Sequence, residues 1–196
     1  MIEKKFIKAK KDEFATKEFI KQHLGKGKIS SIKIERTPIG EKIIISTSKP
    51  GLIIGRRGES IQDLTTVLKK KFNLENPKLE IAEIERPEFD AQTAADQIAL
   101  SLERFGPNSF KIIAYRALEA IKKAGALGCE ILLSGRLPSE RARSWRFSFG
   151  YLMKTGETAK LVNRAQATAK TKPGIVGIKV AILPLGVVMP DKIEVI

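Results

Sequence analysis

The four residues Gly55-Arg56-Arg57-Gly58 carry the clearest chemistry in this sequence. Glycine allows positive φ angles and has no Cβ, so an anion can approach the backbone N–H groups closely. The two arginines add positive charge and forked hydrogen-bond donors that fit phosphate oxygens. The segment therefore predicts a site for the phosphates of a nucleic-acid backbone.

A helix that follows this loop would hold it in place. Its apolar stripe is Ile61, Leu64, Leu68 and Phe72, at the spacings of three and four residues that place side chains on one helical face. The helix is predicted to begin near Gly58, where its free N–H groups and the positive end of its dipole favour an anion. The alternative for the same residues is a tight helix-to-helix turn with two solvated arginines.

Apolar residues beside the loop extend the predicted site. Pro50 opens a short helical turn that stops at Gly55, and this turn carries Ile53 and Ile54. Together with Ile61, they are predicted to form an apolar wall against which unpaired bases lie. A loop that clamps the backbone suits a chain with 6% aromatic residues better than a sheet that stacks bases on exposed rings.

The elements around the loop follow the order helix, strand, strand, short helix, loop, helix, strand. Asp12 is predicted to cap the first helix and Gly25 to end it. The predicted strands cover 28–37, 42–48 and the residues around Leu79 and Ile81, with a turn at Pro38-Ile39-Gly40 and a break at Asn76-Pro77. This is the order of a type II KH domain. A Walker-type phosphate loop is excluded, because no Gly-Lys-Ser/Thr sequence ends the motif.

The second half of the chain begins after a predicted boundary at Arg86-Pro87. Two amphipathic helices are predicted there, the first capped by Asp90 with Phe105 facing inward, the second capped by Asn108. The segments with strand alternation that follow are 131–133, 145–149, 164–170 and 176–182. We therefore predict an α+β protein of two domains. Residues 1–86 form a basic leader and a type II KH domain, and residues 87–196 form a domain of two helices and a mostly antiparallel sheet.

The charge balance indicates a polyanionic partner. The 36 lysines and arginines exceed the 22 aspartates and glutamates, which gives a net charge of +14 at pH 7. Nucleic acid is the first candidate for such a chain, and an anionic membrane surface is the second. The apolar stretch 180–189 is too short to span a membrane and contains Pro184. Residues 1–11 are charged throughout, unlike a signal peptide.

Cysteine and histidine are too scarce for the common metal sites and nucleophilic triads. Cys129 is the single cysteine, which fits a reducing cytoplasm, and it is predicted to be buried at the start of a strand. His23 lies one helical turn past Phe19 and is predicted at the edge of a core. The enzymatic alternative is a lyase that uses a lysine amine, but Lys69-Lys70-Lys71 has the pattern of a solvated helix end. We expect no enzymatic activity, metal, cofactor or small-molecule substrate.

A second basic region lies in the C-terminal half. Residues 136–172 contain nine basic and two acidic residues, whereas a polar face that is merely solvated usually mixes the two signs. The cations predicted to form a second RNA surface, on the sheet face opposite the helices, are Arg136, Arg141, Arg143, Arg146, Arg164 and Lys170. Trp145, Phe147 and Phe149 alternate with polar residues, so they are predicted to be core residues rather than stacking partners for bases.

Three ordered segments resemble the universal KH-containing family of small-subunit ribosomal proteins, the third in the standard numbering. They are PGLIIGRRGESIQDL (50–64), GALGCEILLSGRLPSERARSWRFSFG (125–150) and GIVGIKVAILP (174–184). The resemblance runs from about Lys10 to Pro184. Gly128-Cys129-Glu130 and Ser134-Gly135-Arg136 resemble the archaeal and eukaryotic branch. Because the chain lacks the long C-terminal extension of eukaryotic members, we expect an archaeal-type form.

The resemblance implies a cytoplasmic, non-catalytic component of the small-subunit head, which binds rRNA and neighbouring head proteins and lines the mRNA entry path. In bacterial members, a basic cluster on the second helix of the second domain is associated with unwinding of mRNA. Lys111 keeps the charge at its aligned position, whereas Ile112 and Tyr115 do not. Arg116 and the arginines between 136 and 146 are expected to contact mRNA or rRNA. The alternative function is a free-standing KH regulator of single-stranded RNA.

Overall fold

The computed structural model of the chain describes residues 2–37, 40–72, 74 and 77–187. The chain forms two compact units, Met1–Glu85 and Arg86–Ile196, each with its own hydrophobic core. The predicted turn at Pro38-Ile39-Gly40 and the predicted break at Asn76-Pro77 fall partly outside the described residues. Within these residues, no helix has both the length and the apolar character needed to cross a membrane.

The first unit is a three-stranded sheet that packs against helices. Its elements are α1 (Ile2–Leu24), β1 (Ser31–Thr37), β2 (Gly40–Thr47), α2 (Pro50–Ile54), α3 (Glu59–Phe72) and β3 (Lys78–Glu83). The sheet order is β1-β2-β3, with β1 antiparallel and β3 parallel to β2. The predicted order of elements, that of a type II KH domain, is confirmed.

Strand alternation builds the core of the first unit. Successive strand residues point to opposite faces, so every second residue of a strand lies on the same face. The apolar residues that share the buried face in this way are Ile32 and Ile34, Ile43 and Ile45, and Leu79 and Ile81. The helices cover this face with Ile20, Leu64 and Leu68, each at most 1% exposed.

Helix α1 begins at Ile2, so the prediction that Asp12 caps the first helix is wrong. Five of the eleven leader residues are lysine, which is a good helix former, and the leader contains no glycine or proline that would interrupt the helix. Asp12 therefore lies in the interior of a helix of 23 residues. Gly25, with a φ of +81°, ends the helix as predicted.

Glu13 forms two ion pairs on α1. Its carboxylate lies 2.8 Å from the ammonium of Lys10 and 2.7 Å from that of Lys17, one turn away on either side. These hydrogen bonds and charges stabilise the ionised carboxylate and lower the pKa of Glu13 to about 2. The pairs strengthen the part of α1 on either side of Asp12.

The second unit places two helices against a four-stranded sheet. Its elements are α4 (Ala91–Phe105), α5 (Phe110–Lys123), β4 (Gly128–Gly135), β5 (Arg143–Gly150), β6 (Asn163–Thr171) and β7 (Gly174–Leu183). The sheet order is β5-β4-β7-β6, and every neighbouring pair is antiparallel. This confirms the predicted helix-helix-sheet arrangement and the α+β class.

Small residues and a cap fix α4 on the sheet. Asp90 caps the helix as predicted, because its carboxylate accepts a hydrogen bond of 2.9 Å from the backbone N–H of Thr93. Ala95 and Ala99 of α4 and Ala169 of β6 are completely buried, so the helix approaches this edge strand closely. The polar residues that alternate with the alanines of β6 lie on the opposite face of the strand and are exposed.

Cys129 is buried with 1% exposure at the start of β4, as predicted. Burial raises the pKa of its thiol to about 12, and the charge of Glu130 adds to this increase. The thiol therefore stays protonated at physiological pH and acts as a small apolar group.

Two details between α4 and α5 differ from the predictions. Asn108 does not cap α5. It lies in a 3₁₀ turn, Pro107–Ser109, that follows Gly106, whose φ is +81°, and the turn places Ser109 at the cap position. Phe105 is 60% exposed rather than buried, because it ends α4 and lines a groove between the helices instead of facing the sheet.

Candidate nucleic-acid interface

The Gly55–Gly58 loop joins α2 to α3, as the sequence predicts. Three of its four residues have positive φ angles: Gly55 at +72°, Arg57 at +52° and Gly58 at +80°. Gly55 also has a ψ of −173°, a combination that is essentially limited to glycine. The backbone therefore turns sharply with little side-chain volume in the way, which leaves its polar groups accessible to an anion.

Both arginines of the loop are exposed. Within the described part of the chain, neither guanidinium has an ion-pair partner. Their donors are therefore available to an incoming phosphate, at the N-terminal end of α3 where the helix dipole adds positive potential.

The apolar wall beside the loop needs a correction. Ile53 is 2% exposed and belongs to the core of the first unit, so it cannot contact a base directly. Ile54 is 39% exposed, Ile61 is partly buried, and Leu52, which the sequence analysis did not select, is 54% exposed. The reason is the helical rotation of about 100° per residue, which turns the neighbours of a buried residue outward.

Arg146 and Arg164 lie on one surface of the second unit. This surface is the face of the four-stranded sheet opposite α4 and α5, here called the open face. The Nε of Arg146 lies 2.8 Å from Oε1 of Glu130, and the Nζ of Lys154 lies 3.0 Å from Oε2 of the same carboxylate. An Nη atom of Arg164 donates to the carbonyls of Met153 and Lys154 at 3.4 and 3.3 Å.

The other three predicted arginines are Arg136 and Arg141, in the loop between β4 and β5, and Arg143, the first residue of β5. The Nε of Arg136 donates to the carbonyl of Glu140 at 2.8 Å, and its Nη1 donates to that of Pro173 at 3.4 Å. Arg136 therefore holds this loop against the turn between β6 and β7. Arg141 and Arg143 are exposed and have no ion pair among the described residues, so their guanidinium groups are available to RNA.

Lys111 and Arg116 lie on the helical side of the second unit, away from the open face. The ammonium of Lys111 is 5.1 Å from the ring centroid of Trp145, a cation–π distance. Arg116 is exposed and lines the groove between α4 and α5. The structure therefore divides the predicted cations of this unit between two surfaces.

Lys170 is exposed on β6, near the turn that joins β6 to β7. Its backbone N–H donates to the Glu103 carboxylate of α4 at 2.9 Å. The predicted core role of the β5 aromatic residues is borne out for Phe147, which is 7% exposed, and for Trp145, which lies against Phe110 at a centroid distance of 5.3 Å. Phe149 is partly buried.

Two cations of the open face, Lys154 and Lys179, were missed by the sequence analysis. Lys179 alternates with the buried Ile178 and Val180, so the strand pattern was enough to find it. Lys154 could not be found in this way, because it lies in the irregular segment after β5, where no strand pattern applies. Its ion pair with Glu130 places it on the open face.

Comparisons with known proteins bear on both units. Residues 11–89 match the family model of the KH domain, and residues 98–182 match the model described as ribosomal protein S3, C-terminal domain. The chain is similar to small ribosomal subunit protein uS3 of Methanocaldococcus jannaschii, with 42% identity over 98% of this chain and 92% of that protein. It is 40% identical to the uS3 protein of Archaeoglobus fulgidus, over 99% of this chain and 84% of the relative. The uS3 protein of Methanococcus aeolicus is 36% identical over 100% and 93% of the two chains.

Proposed function

This chain belongs to the uS3 family of small ribosomal subunit proteins, and on that premise we propose that it is a structural, non-catalytic component of the small-subunit head. In this role it binds rRNA, contacts neighbouring ribosomal proteins and lines the path by which mRNA enters. The net charge of +14 supports a site among the phosphates of a ribonucleoprotein particle.

The observation that carries the rRNA part of this proposal is the geometry of the Gly55–Gly58 loop. Two exposed guanidinium groups flank a backbone with three positive φ angles, at the start of a helix of 14 residues. A sugar–phosphate strand can lie close to such a backbone, while the partly exposed Ile54 and Ile61 support an unpaired base beside it. The loop reads the RNA backbone rather than its sequence.

The mRNA part of the proposal rests on the loop between β4 and β5. Arg136 holds this loop in place, and Arg141 in the loop and Arg143 at the start of β5 are both exposed. Neither of these two guanidinium groups has an ion-pair partner among the described residues. Such charges can guide a moving single strand, because phosphate contacts carry no sequence information.

A direct strand-opening role for α5 is not part of the proposal. Ile112 and Tyr115 are 66% and 56% exposed and stand where the resemblance to bacterial members would require cations. Lys111 is held over Trp145, and Arg116 is the other cation predicted to contact RNA on this helix.

Sucrose-gradient sedimentation tests the proposal as a whole. We expect the chain to travel with small subunits when it is expressed in a host cell whose own uS3 is depleted. Absence from the small-subunit peak, with binding to free RNA only, would favour the free-standing KH regulator.

Crosslinking tests the mRNA path. An mRNA with 4-thiouridine downstream of the decoding site is expected to crosslink to the 136–146 segment in assembled small subunits. Replacing Arg141 and Arg143 by alanine should reduce that crosslink several-fold without reducing incorporation into the particle. An unchanged crosslink would overturn the assignment of these two arginines.

A further inference from the structure

The open face of the second unit contains a cavity of about 550 Å³. Leu132 and Ala181 of the two central strands form its floor. Around this floor stand the cations Arg146, Lys154, Arg164 and Lys179, the carboxylate of Glu130 and the amides of Gln92 and Gln166. We call this feature the open-face cavity.

Strand register brings these residues together. Arg146, Leu132, Lys179 and Gln166 stand opposite one another across β5, β4, β7 and β6. Neighbouring strands are ~4.8 Å apart, so this row is roughly 14 Å long, with charged residues on both sides of a leucine. A second row places Glu130, Ala181 and Arg164 next to it.

The segment between β5 and β6 closes one end of the cavity. Because β5 and β6 are the two outer strands of the sheet, the chain must cross from one edge to the other. Leu152 and Lys154 of this segment line the cavity, and Arg164 holds the segment through the carbonyls of Met153 and Lys154.

The charges around the cavity do not balance. Its lining contains four basic side chains and one acidic side chain, a net charge of +3. The Glu130 side chain is only 16% exposed, and its two oxygens hold Arg146 and Lys154 in position. Lys179 is exposed and has no ion-pair partner in the described ranges of the chain. The surplus charge therefore favours an anionic ligand.

The uncharged residues that line the cavity indicate which kind of anion it binds. A free phosphate or an acidic peptide would need only the cations. The cavity adds an apolar floor, the guanidinium plane of Arg146 and the amide of Gln166, which can both donate and accept hydrogen bonds. Bases of single-stranded RNA bind to proteins by stacking on such planes and by hydrogen bonding at their edges.

We propose that the open-face cavity holds one unpaired nucleotide of RNA, with its phosphate between Lys179 and Arg164 and its base over Leu132 against Arg146. This proposal rests on the proposed function and deepens it, because it names the RNA feature that the second unit takes. Gln166 lies at the edge of the bound base, and Glu130 acts as a positioning residue that keeps Arg146 in place.

The test uses the full chain and a fluorescein-labelled pentauridylate, measured by fluorescence anisotropy. Gly58→Asp serves as the background, so that the loop of the first unit contributes little. In that background, Lys179→Gln should weaken binding about tenfold, as expected for the loss of one charge-assisted contact. Lys179→Arg should restore most of the affinity. Lys123→Gln, which removes the same charge from the exposed end of α5, should change it less than twofold.

Two further probes separate a nucleotide from other anions. A pentamer with abasic sugars carries the same phosphates, and it should bind several-fold more weakly than pentauridylate because it has no base to stack. A pentaglutamate peptide should compete poorly. If the peptide competes as well as the RNA, the cavity is a protein-binding site and the proposal is overturned.

The proposal also fails if Lys179→Gln and Lys123→Gln weaken binding equally, because only the net charge would then matter. This failure is distinct from failure of the proposed function. If the Lys179→Gln protein enters small subunits and binds pentauridylate as tightly as its parent, the nucleotide site is refuted and the proposed function is unaffected.

Discussion

A Cβ atom built on Gly55 would lie 2.9 Å from the Cβ of Ser60 and closer still to its hydroxyl oxygen. The first turn of α3 therefore packs against the loop so closely that only glycine fits at position 55. At Gly58, by contrast, nothing lies within 4 Å of an added Cβ. The two glycines of the loop thus have different roles. Gly55 allows the loop to pack closely against α3, whereas Gly58 leaves the space beside the loop open.

This difference predicts different outcomes for the same substitution. Gly58→Asp should lower affinity for single-stranded RNA more than tenfold, because a carboxylate then stands in the anion site, while the fold is retained. Gly55→Asp should instead lower the melting temperature of the first unit, because its Cβ meets Ser60. Anisotropy titrations and thermal unfolding measure the two effects. Gly58→Ala is the matched control, since it has the same positive φ of +80° without the charge. Equal loss of affinity in Gly58→Ala and Gly58→Asp would contradict this prediction.

Replacing Arg56 and Arg57 by alanine should reduce the salt dependence of RNA binding. Each phosphate contact on a single strand contributes a slope of about 0.7 in a plot of log K against log salt, so we expect a decrease of about 0.7 to 1.4. Alanine keeps a Cβ at Arg57, so the strain at its φ of +52° is unchanged. Lys69 and Lys70, exposed at the other end of α3, provide a charge-matched control pair. An unchanged slope would mean that the arginines of the loop do not contact phosphate.

The lowered pKa of Glu13 predicts a pH-dependent contribution to stability. Its pKa falls from 4.5 to about 2 in the folded chain, so the stabilisation is present above pH 4.5 and is lost as the pH falls through about 2. Glu13→Gln should therefore lower the free energy of unfolding by about 0.5–1 kcal/mol at pH 7, the usual value for two surface pairs on a helix. At pH 2, where about half of the Glu13 carboxylates are protonated, most of the difference should be lost.

Denaturant titrations at the two pH values measure this effect. Glu18→Gln is the control, because the Glu18 carboxylate accepts a hydrogen bond of 3.3 Å from the neutral amide of Gln22. If Glu13→Gln and Glu18→Gln lose the same stability at pH 7, the ion pairs of Glu13 do not stabilise α1.

Gly128→Ala should destabilise the second unit strongly. An added Cβ would lie 2.9 Å from the backbone N of Tyr151, and closer to its carbonyl group, where the chain leaves β5. Backbone atoms at the end of a paired strand cannot move away easily, so we expect a loss of about 2–3 kcal/mol in the free energy of unfolding. Gly125→Ala is the control, because its Cβ would meet nothing within 4 Å and only the positive φ of +94° is strained. Similar losses in the two variants would show that the end of the sheet adjusts to the added methyl group.

The sequence alone determined the order of the elements, the α+β class and the position of the loop that we propose to bind phosphate. These features follow from local patterns. The spacing of Ile61, Leu64 and Leu68 indicates a helix, and the alternation of Ala165, Ala167 and Ala169 indicates a strand with one buried face. Local patterns also located the excess of positive charge between 136 and 172. Each of these inferences needs only residues that are close together in the chain.

The tertiary structure alone decided which side chains meet. Ile53 and Ile54 are neighbours with the same side chain, yet one is buried and the other exposed, because only one of them faces the sheet. Arg146 and Lys154 come together on Glu130 through the pairing of β4 with β5 and the path of the chain beyond it. Strand register and chain crossing join residues that are distant in sequence, and the free energy that selects them comes from packing of the whole unit.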